Sequence, residues 1–159
     1  MLIDLTYRCN MGCNHCMSDC KPNGTDMTPE ILKDVLAFCK KNEVPNLIFS
    51  GGEMFENPHI LELLKIIEKE WDKRFPLSFI TNGRKLADTP DIFEAVQDMQ
   101  KKYGKKKIMI QVTDDPRFYP QPLSEKQKYR LKKLDAVIEG VPGNGNKCLY
   151  PQGRTLENF

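Results

Sequence analysis

The chain has 159 residues, long enough for one domain with its own hydrophobic core, so its six cysteines are not needed merely to keep it folded. The net charge of +2 excludes a strongly acidic or strongly basic chain. No apolar run approaches the ~20 residues that a membrane span requires, and the charged Asp4 argues against a signal peptide at the N-terminus. We therefore expect a cytoplasmic protein with no membrane partner. In that reducing compartment, clustered cysteines bind metals or catalyse reactions more often than they form disulfides.

Basic residues are concentrated in the last third of the chain. Residues 1–100 contain 11 Lys and Arg against 16 Asp and Glu, whereas residues 101–159 contain 13 against 6. The basic stretches 101–107 and 126–133 could attract nucleic acid or an acidic protein. Few aromatic residues interleave with these charges to stack on bases, so we expect a solvated helix end and helix face, and no nucleic acid partner.

Short apolar runs alternate with helical patterns along the chain. The predicted strands are residues 2–5, 47–49, 77–80, 108–112 and, more weakly, 136–138. Three predicted helices carry apolar side chains at helical spacing: Ile31, Val35 and Phe38 beside Leu32, Leu36 and Cys39 in the first, Ile60, Leu64, Ile67 and Trp71 in the second, and Ile92, Val96 and Met99 in the third. Each begins at a capping residue followed by proline, namely Thr28-Pro29, Asn57-Pro58 and Thr89-Pro90. A fourth helix is expected from about Ser124 to Lys133.

Strands and helices that alternate at a spacing of about 30 residues indicate βαβ units and hence a parallel sheet. Five strands are too few to close an eight-stranded barrel. We therefore predict an α/β fold over residues 1–139, a partial (β/α) barrel with an open parallel sheet of about five strands. Residues 140–159 are rich in glycine and have no periodic pattern, so we expect an irregular C-terminal tail.

Chemically active side chains follow four of the predicted strands. In chain order these groups are Cys9, Cys13 and Cys16, then Ser50-Gly51-Gly52-Glu53, then Thr81-Asn82-Gly83, then Thr113-Asp114-Asp115. The carboxyl ends of parallel strands meet at one edge of the sheet, which is where such folds bind their ligands. We therefore expect one site that all four groups share.

Four of the six cysteines lie in one stretch, RCNMGCNHCMSDC, residues 8–20. Zinc sites usually take cysteine pairs from two separate segments, whereas one loop can wrap around an iron–sulfur cluster and give each thiolate its own iron. The number of ligands then decides the chemistry. With Cys20 as a fourth ligand the cluster is saturated and only carries electrons. With Cys9, Cys13 and Cys16 alone, one iron stays open to a substrate.

The spacing Cys9-x-x-x-Cys13-x-x-Cys16, after a first strand and preceded by Thr6, resembles the signature of the radical S-adenosylmethionine (SAM) superfamily. Gly51-Gly52-Glu53 after the second strand resembles the next motif of that family, and the resemblance covers roughly residues 2 to 113. It implies that the three cysteines hold a four-iron four-sulfur cluster whose fourth iron binds SAM. It also implies reductive cleavage of SAM to methionine and a 5′-deoxyadenosyl radical that abstracts hydrogen from a substrate.

The same resemblance implies a set of SAM contacts, which are Ser50, Gly51, Gly52, Glu53, Thr81, Asn82, Thr113 and His15. Glycine leaves no side chain between backbone and ligand, and Glu53 can accept hydrogen bonds from the cationic amino group of SAM. His15 stands where the family usually has an aromatic residue near adenine, and imidazole can still stack. The adenine motif that commonly follows the fifth strand is not recognisable around residues 137–140.

Several of these residues also have a plain structural interpretation. Gly51-Gly52-Glu53 can be an ordinary strand-to-loop turn, and Asn82-Gly83 is a common turn sequence. For Asp114 and Asp115 we favour a solvated turn before Pro116 over contacts with ribose or substrate. Cys39 is expected in the core, and Cys20 and Cys148 are expected to be spare thiols, with a role in chemistry or in a second metal site as the alternative.

These observations predict a radical SAM enzyme, with a four-cysteine iron–sulfur electron-transfer protein as the alternative. A short, open barrel leaves a wide mouth that suits a peptide or protein substrate. The short chain also resembles enzymes that install a glycyl radical on a partner protein, while Thr6-x-x-Cys9-Asn10 resembles peptide-modifying and cofactor-building members. An open iron is readily oxidised, so we expect anaerobic or strongly reducing conditions and an electron donor such as a flavodoxin.

Overall fold

A computed structural model of the protein describes residues 1–139 and contains one parallel sheet of five strands in the order β1-β2-β3-β4-β5. The strands are β1 (Leu2–Asp4), β2 (Leu47–Ser50), β3 (Leu77–Thr81), β4 (Ile108–Thr113) and β5 (Val137–Glu139). The helices are α1 (Pro29–Lys41), α2 (Ile60–Glu70), α3 (Arg84–Asp88), α4 (Pro90–Tyr103) and α5 (Glu125–Lys132), with a 3₁₀ turn at Met54–Glu56. The predicted open α/β sheet is confirmed. The expected tail, residues 140–159 with Cys148, lies outside the described residues.

The pleat of the sheet separates a helix-covered face from a more open one. Leu47 and Phe49 of β2 are buried, as are Leu77 and Phe79 of β3, and the rings of Phe49 and Phe79 lie 6.0 Å apart. The alternating positions are only partly buried, because side chains along a strand point to opposite faces. The hydrophobic core therefore lies between the sheet and its helices.

The predicted helix starts are confirmed except at α2, but at α4 the Thr89 side chain makes no capping hydrogen bond. Thr28 caps α1 by accepting a hydrogen bond from the Ile31 amide, and Ser124 caps α5. The expectation that Asn57 caps the second helix is wrong, because α2 begins at Ile60. The Asn57 side chain is buried and donates hydrogen bonds to the carbonyl oxygens of Leu5 (2.7 Å) and Met27 (3.0 Å), while its Oδ1 accepts from the amide of His59, the residue before α2, at 2.8 Å.

The helices bury one face each. In α1 the buried side chains are Leu32, Leu36 and Cys39, so the expected core position of Cys39 is confirmed, while Ile31 and Phe38 are exposed. The short helix α3 was not predicted. It follows Gly83, whose positive φ of 79° turns the chain at the end of β3. Within residues 1–139, no helix combines the length and hydrophobicity needed to cross a membrane.

Candidate functional site

Members of all four groups of residues predicted to meet do so at the carboxyl ends of the strands. They surround a cavity of about 290 Å³. Its lining from the cysteine loop is Cys9, Met11, Cys13, His15, Cys16, Met17, Ser18 and Cys20, and its lining from the strand ends is Ser50, Gly51, Gly52, Ile80, Thr81, Asn82, Thr113 and Tyr119. Every predicted site residue except Glu53 therefore lines this cavity.

The cysteines form a compact, largely buried group at one side of the cavity. Cys9, Cys13 and Cys20 are buried together with Met11, and Cys16 is half-buried against them. The backbone amide of Cys20 donates a hydrogen bond to the Cys16 sulfur at 3.3 Å. Burial raises the pKa of the Cys9 thiol. Within the described residues, no group of three or more His, Cys, Asp or Glu side chains is arranged around a single metal ion.

Asp26 holds the start of the cysteine loop and was not found from the sequence. It accepts a hydrogen bond from the Thr6 hydroxyl at 2.5 Å and pairs with Arg8 at 2.8 Å. The Thr6 hydroxyl in turn accepts from the Arg8 amide. The chain therefore leaves β1 in a fixed direction, and this direction carries the first cysteine into the cavity wall.

Gly51 and Gly52 are required by the close approach of two backbone segments. A Cβ atom on Gly51 would lie 2.3 Å from the Thr6 carbonyl oxygen, and one on Gly52 would lie 2.5 Å from the Arg8 carbonyl oxygen. The Gly52 amide donates to Thr6 O at 2.7 Å and the Glu53 amide donates to Arg8 O at 2.8 Å. The two glycines dock the cysteine loop onto the end of β2.

Glu53 lies behind the cavity wall and is completely buried. Its carboxylate accepts hydrogen bonds from the Thr81 hydroxyl (2.7 Å), the Asn82 amide (2.7 Å) and the Phe55 amide (3.1 Å). Burial raises the pKa of Glu53 to about 7, even though these hydrogen bonds oppose the shift. In this structure the side chain joins the end of β2 to the end of β3.

Asn82 connects the end of β3 to the cysteine loop. Its side-chain amide donates to Asn10 Oδ1 at 2.9 Å, and Asn10 donates to Glu56 at 2.8 Å. Thr81 donates to Glu53 and accepts from the Gly83 amide. The Asn82-Gly83 pair therefore makes a turn, as its composition suggested, and also holds the cysteine loop.

The loop after β4 contributes a tyrosine to the cavity that sequence reasoning missed. Tyr119 lines the cavity beside Thr113, with which its side chain shares a hydrogen bond, and burial raises the pKa of its phenol. The His15 ring packs against Phe118 and Tyr119, with centroids 5.1 and 5.5 Å away. The only sequence signal was an aromatic pair in a proline-rich loop.

The solvated turn expected for Asp114 and Asp115 is wrong. The Asp114 side chain accepts from the Leu123 amide at 3.0 Å and lies 3.6 Å from the Lys128 ammonium. Asp115 is buried and pairs with Arg117 at 2.6 Å. Neither aspartate lines the cavity, because both bind the loop that carries Tyr119.

The sequence profile of the Radical SAM superfamily matches residues 3–142. This chain belongs to the radical SAM superfamily. Members of this superfamily use a four-iron four-sulfur cluster and SAM, which are the two cofactors predicted from the sequence.

Relatives of this radical SAM chain are named for different activities. The "Putative peptide biosynthesis protein YydG" of Bacillus subtilis (strain 168) is 34% identical over 83 residues, which are 51% of this chain and 25% of YydG. A "Probable GTP 3′,8-cyclase" of Methanocella arvoryzae is 31% identical over 86 residues, which are 54% of this chain and 27% of the cyclase. These matches span about a quarter of each curated relative.

A solved structure has the same fold. The crystal structure of Streptococcus suis SuiB bound to precursor peptide SuiA aligns with a TM-score of 0.70 and 16% sequence identity. The alignment covers 91% of this chain and 33% of the SuiB chain. The predicted partial barrel is therefore confirmed at the level of the fold.

The donor set of the radical SAM chain fits the cofactors of its family. Cysteine side chains of one loop border the cavity from one side. In an iron–sulfur cluster each thiolate binds a different iron, so the cysteines of such a site need not surround a single metal ion. The polar residues Ser50, Thr81, Asn82 and Thr113 border the other side. Such a mixture suits a ligand with an amino acid part and a nucleoside part.

Some lysines of the basic stretches form ion pairs with acidic side chains. Lys102 pairs with Glu68 at 2.8 Å and Lys105 pairs with Asp135 at 2.8 Å. Lys128 lies near both Asp114 and Glu125. Part of the basic charge is thus balanced by neighbouring acidic side chains.

Proposed function

We propose that this protein is an enzyme that reductively cleaves SAM and uses the product radical to abstract hydrogen from a peptide or protein substrate. The observation that carries the proposal is the common cavity. Cys9, Cys13 and Cys16 line it together with Gly51 and Gly52 of the second strand end. A cysteine loop with no catalytic role would not need to meet polar groups from three further strand ends.

Each part of the cavity wall has a proposed task. Cys9, Cys13 and Cys16 hold the cluster, while Ser50, Gly51 and Gly52 contact the amino acid part of SAM. Asn82, Thr81 and Thr113 supply hydrogen-bonding groups, and His15 contacts the nucleoside. When bound, the reduced cluster supplies the electron that splits SAM into methionine and a 5′-deoxyadenosyl radical.

Glu53 takes part in a different way from the one expected from the sequence. Its carboxylate already accepts three hydrogen bonds and does not line the cavity. We propose that it fixes the chain at Thr81 and Asn82, the two residues that line the cavity at the end of β3, by holding the Thr81 hydroxyl and the Asn82 backbone amide from behind the wall.

The cleavage activity can be tested directly. The protein is loaded anaerobically with iron and sulfide and incubated with dithionite and SAM. We expect 5′-deoxyadenosine from the wild type and none above the blank from Cys13→Ala. Cys39→Ala is the matched control, because Cys39 is a buried thiol on α1 outside the cavity. A fully loaded wild type that yields no 5′-deoxyadenosine would defeat the proposal.

A second candidate function rests on Cys20. This residue is 2% exposed and lines the same cavity as the other three cysteines. If it were a fourth ligand, the protein would be an electron-transfer protein without SAM chemistry. Electron paramagnetic resonance separates the two: SAM should change the spectrum of a three-cysteine cluster and leave a saturated one unchanged. Loss of the cluster in Cys20→Ala would favour the second function.

A peptide or protein is the substrate class we propose. YydG is named as a peptide biosynthesis protein, SuiB was crystallised with a precursor peptide, and both resemble this chain. The resemblance to a probable GTP cyclase makes GTP the competing candidate. Short peptides encoded beside the gene should increase 5′-deoxyadenosine formation and transfer deuterium to it when they are deuterated. Stimulation by GTP alone would contradict a peptide substrate.

We further propose a low-potential donor such as a flavodoxin and an anaerobic or strongly reducing cytoplasm. A cluster with an open iron is sensitive to oxygen, and the half-buried Cys16 leaves its surroundings partly accessible. Replacing dithionite with reduced flavodoxin should sustain 5′-deoxyadenosine formation. Full activity in air would contradict this proposal.

A further inference from the structure

Two rings stand out among the mainly aliphatic and polar side chains that line the cavity. They belong to His15 of the cysteine loop and Tyr119 of the loop after β4, and their centroids are 5.5 Å apart. Phe118 supports the His15 ring from a distance of 5.1 Å without lining the cavity itself. The aromatic surface of the site is therefore built from two segments that are about a hundred residues apart in the chain.

The loop that carries Tyr119 is held at several points. The Asp115 carbonyl oxygen accepts from the Tyr119 amide at 2.8 Å, and the Asp115 carboxylate binds Arg117. Arg84 donates to the carbonyl oxygen of Gln121 at 3.1 Å. The tyrosine ring is thus positioned before a ligand enters, which lowers the entropy cost of a contact with it.

SAM presents one flat aromatic group, its adenine, and otherwise polar or charged groups. The hydroxyl and amide groups of the cavity lie at the strand ends, whereas the two rings lie between the cysteine loop and the loop after β4. Stacking on an aromatic side chain contributes about 1–3 kcal/mol to the binding of a base, so the two rings are the part of the cavity that suits adenine.

We propose that Tyr119 is a binding residue for SAM whose ring, next to that of His15, contacts the adenine. This inference rests on the proposed function and adds a contact on a loop outside the superfamily motifs. The Tyr119 hydroxyl is engaged with Thr113, so the ring face rather than the phenol group is the part that meets the base.

Binding without turnover tests the proposal. SAM affinity is measured by equilibrium dialysis on cluster-loaded protein without reductant. Tyr119→Leu should raise the Kd of SAM about tenfold to a hundredfold, as expected for a lost base stack. Tyr119→Phe keeps the ring and should stay within about twofold. Tyr129→Leu makes the same chemical change at an exposed position and should leave the Kd unchanged.

S-Methylmethionine, a sulfonium amino acid without adenosine, is the matched ligand. Its affinity should be equal in the wild type and Tyr119→Leu, and iron content verifies that the variant holds its cluster. Unchanged SAM affinity in Tyr119→Leu, or an equal loss in Tyr119→Phe, would overturn the inference while leaving the proposed function standing. A loaded wild type that binds no SAM would overturn both.

Discussion

The Glu53 carboxylate, at the end of the second strand, accepts a hydrogen bond from the Thr81 hydroxyl, 2.7 Å away at the end of the third. The two residues are 28 positions apart in the sequence. Their contact lies inside the protein and not on the cavity surface, so the glutamate of the Gly-Gly-Glu motif joins two strands. Several consequences of such contacts can be measured.

The buried Glu53 should make the stability of the protein depend on pH. Burial raises its pKa from 4.5 to about 7, so the folded chain holds the proton more tightly than the unfolded chain does. The resulting stabilisation is fully present below pH 4.5 and is lost as the pH rises through 7. It amounts to roughly 3 kcal/mol. Urea unfolding of the cluster-free protein from pH 4.5 to 7.5 should show this loss for the wild type.

Glu53→Gln cannot titrate and is the matched comparison. Its free energy of unfolding should be lower overall, but it should lack the fall between pH 4.5 and 7 that Glu53 causes. Parallel curves for the two proteins would show that Glu53 does not titrate in this range.

Gly51→Ala should weaken the docking of the cysteine loop. The new Cβ would lie 2.3 Å from the Thr6 carbonyl oxygen, and the φ of 139° adds strain. We expect a loss of more than about 2 kcal/mol in the free energy of unfolding. Gly104→Ala also has a positive φ but open space around its Cβ, so it should lose only about 1 kcal/mol. Equal losses would mean that backbone strain alone accounts for the effect at Gly51.

Asn57→Ala should destabilise the protein by about 2 kcal/mol, because Met27 O loses its side-chain donor, Leu5 O keeps only the Met27 amide, and the His59 amide loses its acceptor. Asn42→Ala is the control, since Asn42 makes a similar side-chain bond to Phe38 O in an exposed setting. Urea unfolding measures both. An effect of Asn57→Ala no larger than that of Asn42→Ala would contradict a bracing role.

Asp115→Ala should act on SAM binding through the loop that carries Tyr119. The variant loses the bonds to Arg117 while leaving the cavity lining itself unchanged. We expect the Kd of SAM to rise about five- to tenfold, which corresponds to roughly 1 kcal/mol. Asp135→Ala, which breaks an exposed pair with Lys105, should leave the Kd unchanged. Wild-type affinity in Asp115→Ala would mean that the loop keeps its shape without this residue.

The sheet was predictable because its signals are local. Phe49 and Phe79 sit in short apolar runs, and Thr28-Pro29 marks the start of α1 with adjacent residues. The parallel arrangement of the strands was enough to predict that the cysteine loop meets Gly51 and Gly52 at one edge of the sheet.

The details that could not be predicted depend on partners far away in the chain. Asn57 has the sequence pattern of a helix cap, but its side-chain NH2 donates to the carbonyl oxygens of Leu5 and Met27, while its Oδ1 accepts from the His59 amide just before α2. From the sequence, the Glu53 side chain could face solvent, a ligand or the protein interior. Its hydrogen bond with the Thr81 hydroxyl, 28 positions away, holds it in the interior. Tyr119 reaches the cavity through a loop without periodicity, so no pattern in the sequence indicates its direction.

The close backbone approach at Gly51 and Gly52 has a consequence for the order of maturation. Carbonyl oxygens of the cysteine loop are already fixed to amides at the end of β2, so the polypeptide itself gathers the cysteines. We therefore expect the newly made chain to form these contacts before iron and sulfide bind, because none of them involves a cysteine sulfur.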